Sequence, residues 1–352
     1  MSRKLVIGIM VNKRSQRKSM LRRYQKYNEN MPVKLFSFTP KDINWKTKRI
    51  KGCCFRNQKW ETAISPFPYA VYNRCYQKKG KTLKRLEKYI GKNKCFNTIT
   101  FFNKWKVYKI LSQTELHVYL PKTWLYQQKR FKTLLEGRNQ LILKPCYGYL
   151  GRRVYLVEAK SEDQVYNIYQ DTLKRPKYSF EDAASFYTKI DELMNRKKLI
   201  IQEHINTSRA AGRIADIRML VQKNSSGKWT VTNGISRIAQ KDYYVTNCSN
   251  RICKAEEVLP FIVSDTSESS AVYEEMIKTS IKTAKIIEKH VGLLGEIGVD
   301  MVLDKNKKLK IIEVNGKLQK NLYHKVREAF QENDLVYQRP IEYAYFLANK
   351  KS

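Results

Sequence analysis

Histidine is scarce in this chain: four in 352 residues, at positions 117, 204, 290 and 324. Seven cysteines stand at 53, 54, 75, 95, 146, 248 and 253, with no CxxC and no Cys/His metal spacing among them. A structural zinc site is therefore not expected, and an odd number of thiols without a framework points to free cysteines in a reducing, cytoplasmic compartment. No apolar run reaches the roughly 18 residues of a membrane span. The opening Leu5-Val6-Ile7-Gly8-Ile9-Met10-Val11 is short, runs into Asn12-Lys13-Arg14 and lacks a small-residue cleavage site. It reads as a first buried strand, not a signal peptide. Internal repeats, low-complexity linkers and a Walker phosphate loop are also missing.

Acid is the other shortage. The formal charge is +37, and residues 1–100 hold 26 Lys and Arg against Glu29, Asp42, Glu61 and Glu87. Such a field favours an anionic partner: nucleic acid, a polyanionic wall polymer, an acidic protein surface or a phosphorylated substrate. A solvated basic surface is the bland alternative. Binding of nucleic acid ranks last, because lysine is abundant along the whole chain. Hydrophobic content of 42% still supports a folded core, and the length allows two or three structural units.

Along the chain the spacing predicts a basic helix after the first strand, an apolar run from Met31 to Thr39, a short one at Cys53–Phe55 with Trp60, and a strand around Tyr69–Arg74. This alternation suggests a parallel α/β sheet. Lys78 to Lys94 reads as a basic helix with Leu83, Leu86, Tyr89 and Ile90 on its packing face. Composition changes near residue 95. Leu141–Pro145 and Val154–Val157 then form a hairpin whose tip, Cys146-Tyr147-Gly148-Tyr149-Leu150-Gly151-Arg152-Arg153, joins glycines to arginines. Glycines let a backbone approach a phosphate closely, and Lys144 at the base can reach the same phosphate as a point charge. Residues 158–197 read as charged and helix-prone.

Leu199-Ile200-Ile201-Gln202-Glu203-His204-Ile205 is a strand turning polar at its end, able to offer an adenine ring main-chain groups and the Glu203 acceptor. Ala215–Val221 puts Asp216 and Arg218 on one face, where the ordinary reading is a cross-strand ion pair. Ser270–Val291 is a long amphipathic helix, and Leu335–Leu347 a last one. Near the end, Gly298–Leu303 and Leu309–Gly316 make a hairpin in which Asp300 lies across from the end carrying Glu313 and Asn315. Two residues apart on a strand, Glu313 and Asn315 share a face. Three hard oxygen donors then converge, which suits Mg²⁺.

Taken in order, Lys104, Lys144-Pro145 with the glycine hairpin, Gln202-Glu203-x-Ile205, Asp216-x-Arg218, Asp300 and Glu313-x-Asn315 resemble the ATP-grasp superfamily over roughly residues 96–345. Within it the chain resembles the endospore coat-associated YheC/YheD family through Tyr72-Asn73-Arg74, Asn103-Lys104-Trp105, Asp216-Ile217-Arg218 and the Arg237 to Asn247 segment. More distantly it is similar to the ribosomal-protein glutamate ligases. The resemblance implies an N-terminal α/β domain (1–95), an ATP-grasp subdomain with the phosphate hairpin (96–197) and a second, α+β subdomain with the metal site (198–352).

By the same resemblance Lys104, Lys144, Gly148 and Gly151 would meet ATP phosphates, and Gln202, Glu203, His204 and Ile205 would frame adenine. Asp216 would meet the ribose, and Asp300, Glu313 and Asn315 would hold Mg²⁺. Arg237 and Asn247 would face the transferring phosphate. The implied activity is ATP-dependent ligation of a carboxylate to an amine or thiol acceptor, in a cytoplasmic and spore-associated protein; the charge of the first hundred residues adds that this basic surface recruits an acidic acceptor, such as a peptide or wall polymer. Two alternatives remain: a nucleotide-binding coat protein without turnover, and a nucleic-acid-binding module. The chain departs from the family at Gly151-Arg152-Arg153, where a further glycine is usual, and at Cys248-Ser249-Asn250, which replaces a glycine pair after Asn247.

Overall fold

The structure is a computed structural model describing residues 4–26, 28, 30–56, 58–76, 80–149, 151–160, 165–194, 198–247, 249–263, 265–324, 326 and 334–350. Lys78, Lys79, Leu150 and Cys248 lie outside the described residues. Three sheets follow one another along the chain. The first collects β1 (Leu5–Met10), β2 (Val33–Phe38), β3 (Ile43–Asn44), β4 (Arg49–Arg56), β5 (Lys59–Pro66), β6 (Ala70–Asn73) and β7 (Cys95–Phe96). Its spatial order is β3-β4-β2-β1-β6-β7, with β5 on the far side of β4.

β1 runs parallel to β2 and β6, and β6 to β7, with helices α1 (Gln16–Lys26) and α2 (Lys81–Ile90) in the connections. That much is the expected α/β unit. β3 to β5 depart from it as an antiparallel insertion. Instead of one short strand at Cys53–Phe55 there is a long β4–β5 hairpin in which Phe55 opposes Trp60, their rings 4.7 Å apart. Alternate residues of β5 remain exposed, so the hairpin lacks the continuous apolar run that marks a buried strand.

After the first sheet comes α3 (Lys104–Leu111). Asn103 caps it, its side chain accepting from the Lys106 N–H at 2.9 Å, which fixes Lys104 as the first helical residue. The second sheet holds β8 (Thr123–Leu125), β9 (Gln140–Pro145), β10 (Tyr155–Lys160), β11 (Val165–Tyr169), β12 (Tyr178–Phe180) and β13 (Leu199–Glu203), all antiparallel. Helices α4 (Gln128–Glu136) and α5 (Ala183–Met194) back it through Phe131, Phe186 and Ile190. Within the stretch 158–197, read from sequence as helix-prone, the described residues 165–194 are thus two strands before a helix. Tyr166 and Ile168 lean on the Phe186 cluster, and tertiary packing overrides the helix-favouring charge of the segment. β13 pairs with β8 and β9, so it sits with the middle sheet although the boundary at 198 assigns it to the last unit.

The third sheet contains β14 (Arg209–Ala210), β15 (Arg213–Lys223), β16 (Trp229–Ala239), β17 (Ser249–Lys254), β18 (Glu296–Leu303) and β19 (Leu309–Asn315), ordered β17-β16-β15-β18-β19 with β14 on β15. One face is covered by α6 (Ala255–Val263) and α7 (Thr266–Val291). Asp265 caps α7 by accepting from the Glu268 N–H at 2.9 Å, and Gly292 at φ +99° ends it. Val272, Met276, Ala284 and Ile287 form its inner stripe. After α8 (Asn321–His324), helix α9 (Leu335–Asn349) wedges Tyr337, Ile341 and Ala344 between the third sheet and Ile7, Ile9 and Tyr72 of the first.

The first and third sheets are joined at a buried charge. Glu296, fully buried in β18, receives Arg74 Nη1 at 2.7 Å, Lys320 Nζ at 2.7 Å, Gln222 Nε2 at 2.9 Å and a short hydrogen bond from the Tyr72 hydroxyl. Arg74 also donates to the Leu318 carbonyl at 2.9 Å. Asn97 ties the same junction, giving its amide to the Glu296 and Gly316 carbonyls at 2.9 and 3.1 Å and accepting from the Gly295 N–H at 2.8 Å. Burial alone would raise the Glu296 carboxyl, but Lys320 and then Arg74 pull it from 4.5 down to about 2. Two cations share this one carboxylate, and for Lys320 burial outweighs the Glu296 attraction, pushing it down to about 8.

A depressed carboxyl contributes stability above its unfolded value and loses it as pH falls through the folded one. Glu296 should therefore contribute about 3 kcal/mol at neutral pH, lost between about pH 4.5 and pH 2. In urea unfolding, Glu296→Gln is expected to cost roughly 3–5 kcal/mol at pH 7 by leaving Arg74 and Lys320 without a buried counter-charge. The gap between wild type and variant should close on acidification. A gap that stays constant from pH 7 to pH 3 would refute this role.

Candidate active site

A cleft of about 210 Å³ opens where the second sheet, the third sheet and the loop after β6 meet. The residues the resemblance assigned to nucleotide, phosphate and metal all line it: Lys104, Lys144, Gly148, Gly151, Gln202, Glu203, His204, Ile205, Asp216, Arg237, Asn247, Asp300, Glu313 and Asn315. The β18–β19 hairpin forms as expected, with Asp300 directly opposite Glu313 and Gly298 opposite Asn315. A register irregularity after Asp300 follows this pair.

The carboxylates are engaged. Asp300 takes Arg218 through both its oxygens, each at 2.6 Å, and accepts Arg237 Nη2 at 3.1 Å. Asp216 takes Arg237 Nε at 2.8 Å, a second short contact from its Nη2, and the Thr246 hydroxyl at 2.6 Å. The ion-pair reading of Asp216 and Arg218 therefore holds with different partners. Each pairs outward across the sheet, Asp216 to Arg237 on β16 and Arg218 to Asp300 on β18, because residues two apart on one strand each oppose a neighbouring strand. Burial would raise the Asp300 carboxyl, yet Arg218 and then Arg237 hold it below its ordinary value.

Glu313 is the more open acid, its side chain 27% exposed, and receives Lys104 Nζ at 2.6 Å. The same Nζ reaches the Gly148 carbonyl at 3.4 Å, so the capped start of α3 connects the metal hairpin to the glycine tip of β9–β10. Lys144 on β9 is buried. It donates to Gln202 Oε1 at 2.7 Å, while the Gln202 amide donates to Thr123 at 2.9 Å, so this glutamine side chain orients a lysine. Burial is the main cause that brings the Lys144 ammonium down to about 8, Glu313 opposing it and Lys104 adding to it.

Glu203 accepts the Lys122 N–H at 3.2 Å, and burial lowers the His204 imidazole from its ordinary value. Ile142, Val154, Ile214, Val302 and Ile312 give this part of the cleft apolar walls suited to a flat base.

Among the described residues no three His, Cys, Asp or Glu side chains are grouped closely enough to hold a metal ion. A divalent site at Asp300 and Glu313 would take the amide of Asn315 as its third donor. That amide directs Nδ2 to Asp300 at 3.3 Å, which leaves its oxygen on the opposite branch. Two carboxylates and an amide oxygen on paired strands are hard donors, and the set fits Mg²⁺.

Several lining residues escaped the sequence reading: Tyr76, Thr207, Tyr244, Thr246, Lys317 and Gln319. Tyr244 pins the 240–247 loop to the second sheet: its hydroxyl shares its proton between the Val154 and Tyr169 carbonyls, both at 3.0 Å, and accepts from the Leu156 N–H at 3.2 Å. A tyrosine in a loop carries no periodic signal. Lys317 and Gln319 directly follow Glu313-x-Asn315, and that adjacency was the available clue.

These features define an ATP-grasp protein. The YheC/D-like ATP-grasp family model matches residues 92–347, and the chain belongs to that family. It is 28% identical over 326 residues to the endospore coat-associated protein YheD of Bacillus subtilis (strain 168), covering 90% of this chain and 71% of that one. To YheC of the same strain it is 22% identical, covering 91% and 90%. Among solved structures, D-alanyl-alanine synthetase A from Vibrio cholerae O1 biovar eltor str. N16961 shares the fold at TM-score 0.56 and 13% identity, over 99% of this chain and 100% of that one. The ATP-grasp ligase PsnB, solved with minimal precursor, Mg and ADP, does so at TM-score 0.55 and 11% identity, over 97% and 98%.

Gly151 sits at φ +64°, and a methyl group there would fall 1.7 Å from Asn247 Nδ2. Gly151→Ala should thus force the hairpin tip away from Asn247 and cost about 1 kcal/mol or more of stability. A melting temperature equal to wild type would refute that packing.

Proposed function

We propose that this protein is an ATP-dependent ligase joining a carboxylate to an amine or thiol. The observation that carries the reading is the convergence in one cleft of Lys104, Lys144 and Arg237 with Asp300, Glu313 and Asn315, beside an apolar slot edged by Glu203. A carboxylate oxygen attacks the γ-phosphorus of ATP, the bond to the bridging oxygen breaks, and ADP leaves with that electron pair. The nucleophile then attacks the acyl carbonyl, phosphate departs, and the nucleophile's proton goes to solvent.

The chain's own groups position and neutralise. Lys144, held by Gln202, and Lys104, held at the start of α3, place two ammonium groups where phosphates enter. Arg237 reaches the transferred phosphoryl when it exchanges its carboxylate partners for phosphate oxygens. Bound at Asp300, Glu313 and Asn315, Mg²⁺ supplies charge neutralisation to the phosphates. The names of the two relatives describe them as endospore coat-associated, and we extend that association to this chain.

One observation favours a second reading, nucleotide binding without turnover: both Asp300 oxygens are already occupied by arginine. Thermal unfolding with and without Mg·ATP, on wild type and Glu313→Gln, tests the nucleotide site. At 100 times its dissociation constant a ligand adds about 2.7 kcal/mol, a shift of a few degrees. A Mg²⁺-dependent shift that shrinks in the variant is expected. Absence of a shift in wild type would end both readings, and a shift without ADP release across a panel of carboxylates and amines would favour the second.

A further inference from the structure

The cleft has a corner that the nucleotide assignment leaves unused, where the loop after β6 faces the tip of the β9–β10 hairpin. Tyr76 and Tyr149 meet there with ring centroids 6.1 Å apart, and Phe101 lies 6.0 and 6.5 Å from them. The two tyrosines are 46% and 49% exposed, a large aromatic surface left in contact with solvent. Lys317 Nζ stands 3.8 Å from the Tyr76 ring centre, and the Arg152 guanidinium 5.4 Å from that of Tyr149.

These cations differ from Lys104, Arg218 and Arg237 in the same cleft. Lys104, Arg218 and Arg237 each have a carboxylate. Among the described residues Lys317 and Arg152 pair with none. An incoming anion supplies the counter-charge these two cations lack, whereas a cationic ligand meets repulsion at ring faces already carrying positive charge. A small aliphatic acid satisfies the cations and leaves the rings wet.

Resting on the ligase reading, we propose that this corner seats the carboxylate to be activated, and that its class is a carboxylate carried on a flat apolar group. The ring of an arylacetic acid or an N-acylated aromatic amino acid lies against Tyr76 and Tyr149, and its carboxylate takes Lys317 and Arg152.

The test measures binding to the full chain in Mg²⁺ and a non-hydrolysable ATP analogue, comparing phenylacetate and N-acetylphenylalanine with acetate and N-acetylalanine. The aromatic acids should bind at least about tenfold more tightly, and Tyr76→Leu should erase that preference. Lys317→Met should weaken the aromatic acids by about tenfold while preserving the shift given by the analogue, and Lys317→Arg should retain most of the affinity. Equal binding of aromatic and aliphatic acids, or an unaffected Lys317→Met, would overturn the proposal. So would loss of the analogue's own shift in Tyr76→Leu, which would return the corner to the nucleotide. If the analogue binds but no acid does, this inference fails while the nucleotide site stands. If phenylacetate binds in a Lys317-dependent way but the analogue does not, the corner survives and the ligase reading fails.

Discussion

A carboxylate with no solvent contact, Glu296, is the point on which the arrangement of the units depends. Removing a charge from water is costly unless it is fully paired and hydrogen-bonded. Glu296 meets that condition only with Arg74 and Tyr72 from the first sheet, Gln222 from the third, and Lys320 from the segment before α8 all in place. The interface thereby has one satisfactory docking geometry. Its effect reaches the cleft through Arg74, which holds the Leu318 carbonyl between Lys317 and Gln319, two lining residues. The Tyr72-Asn73-Arg74 motif is therefore scaffolding for the site, one hydrogen bond removed from the cleft lining.

The middle sheet is attached differently. Its described ties to the third run around the cleft: Lys144 to the Ile312 carbonyl at 3.5 Å, the Thr172–Tyr243 bridge, and the Tyr244 hydroxyl. A ligand that engages Lys144 and the hairpin tip would act where these two bodies meet, and Gly151 packs there against the Asn247 side chain.

Much of this was legible in the residues. The order of lysines, carboxylates and the asparagine located the cleft because polar residues inside apolar strands need a reason to be there, and alternation fixed which of them share a face. What sequence concealed had three sources. β5 exposes alternate residues and so lacks a buried strand's run. β11 and β12 are strands only because they rest on Phe186. Glu296 lies in the apolar segment Leu294–Ile297 and could have been noticed, but its partners Arg74, Gln222 and Lys320 are far away in sequence, and no periodicity relates them. Pairing suffered the same limit: Asp216 and Arg218 were recognisable as ion-pair residues, while their partners depended on which strands flank β15.

The ion pairs of the cleft also bear on how its ligands can enter. Arg218 and Arg237 share Asp300, and Lys104 holds Glu313, so the site arrives with its own counter-ions. A polyphosphate cannot claim these cations without displacing carboxylates, and a divalent metal cannot claim the carboxylates without displacing the cations. Together the two visitors satisfy each other's leavings, each taking the partner the other has freed. Under the proposed function the cleft would behave as an ion exchanger with two simultaneous ports, and the reciprocity of linked equilibria would make metal and nucleotide each raise the other's affinity by the same factor.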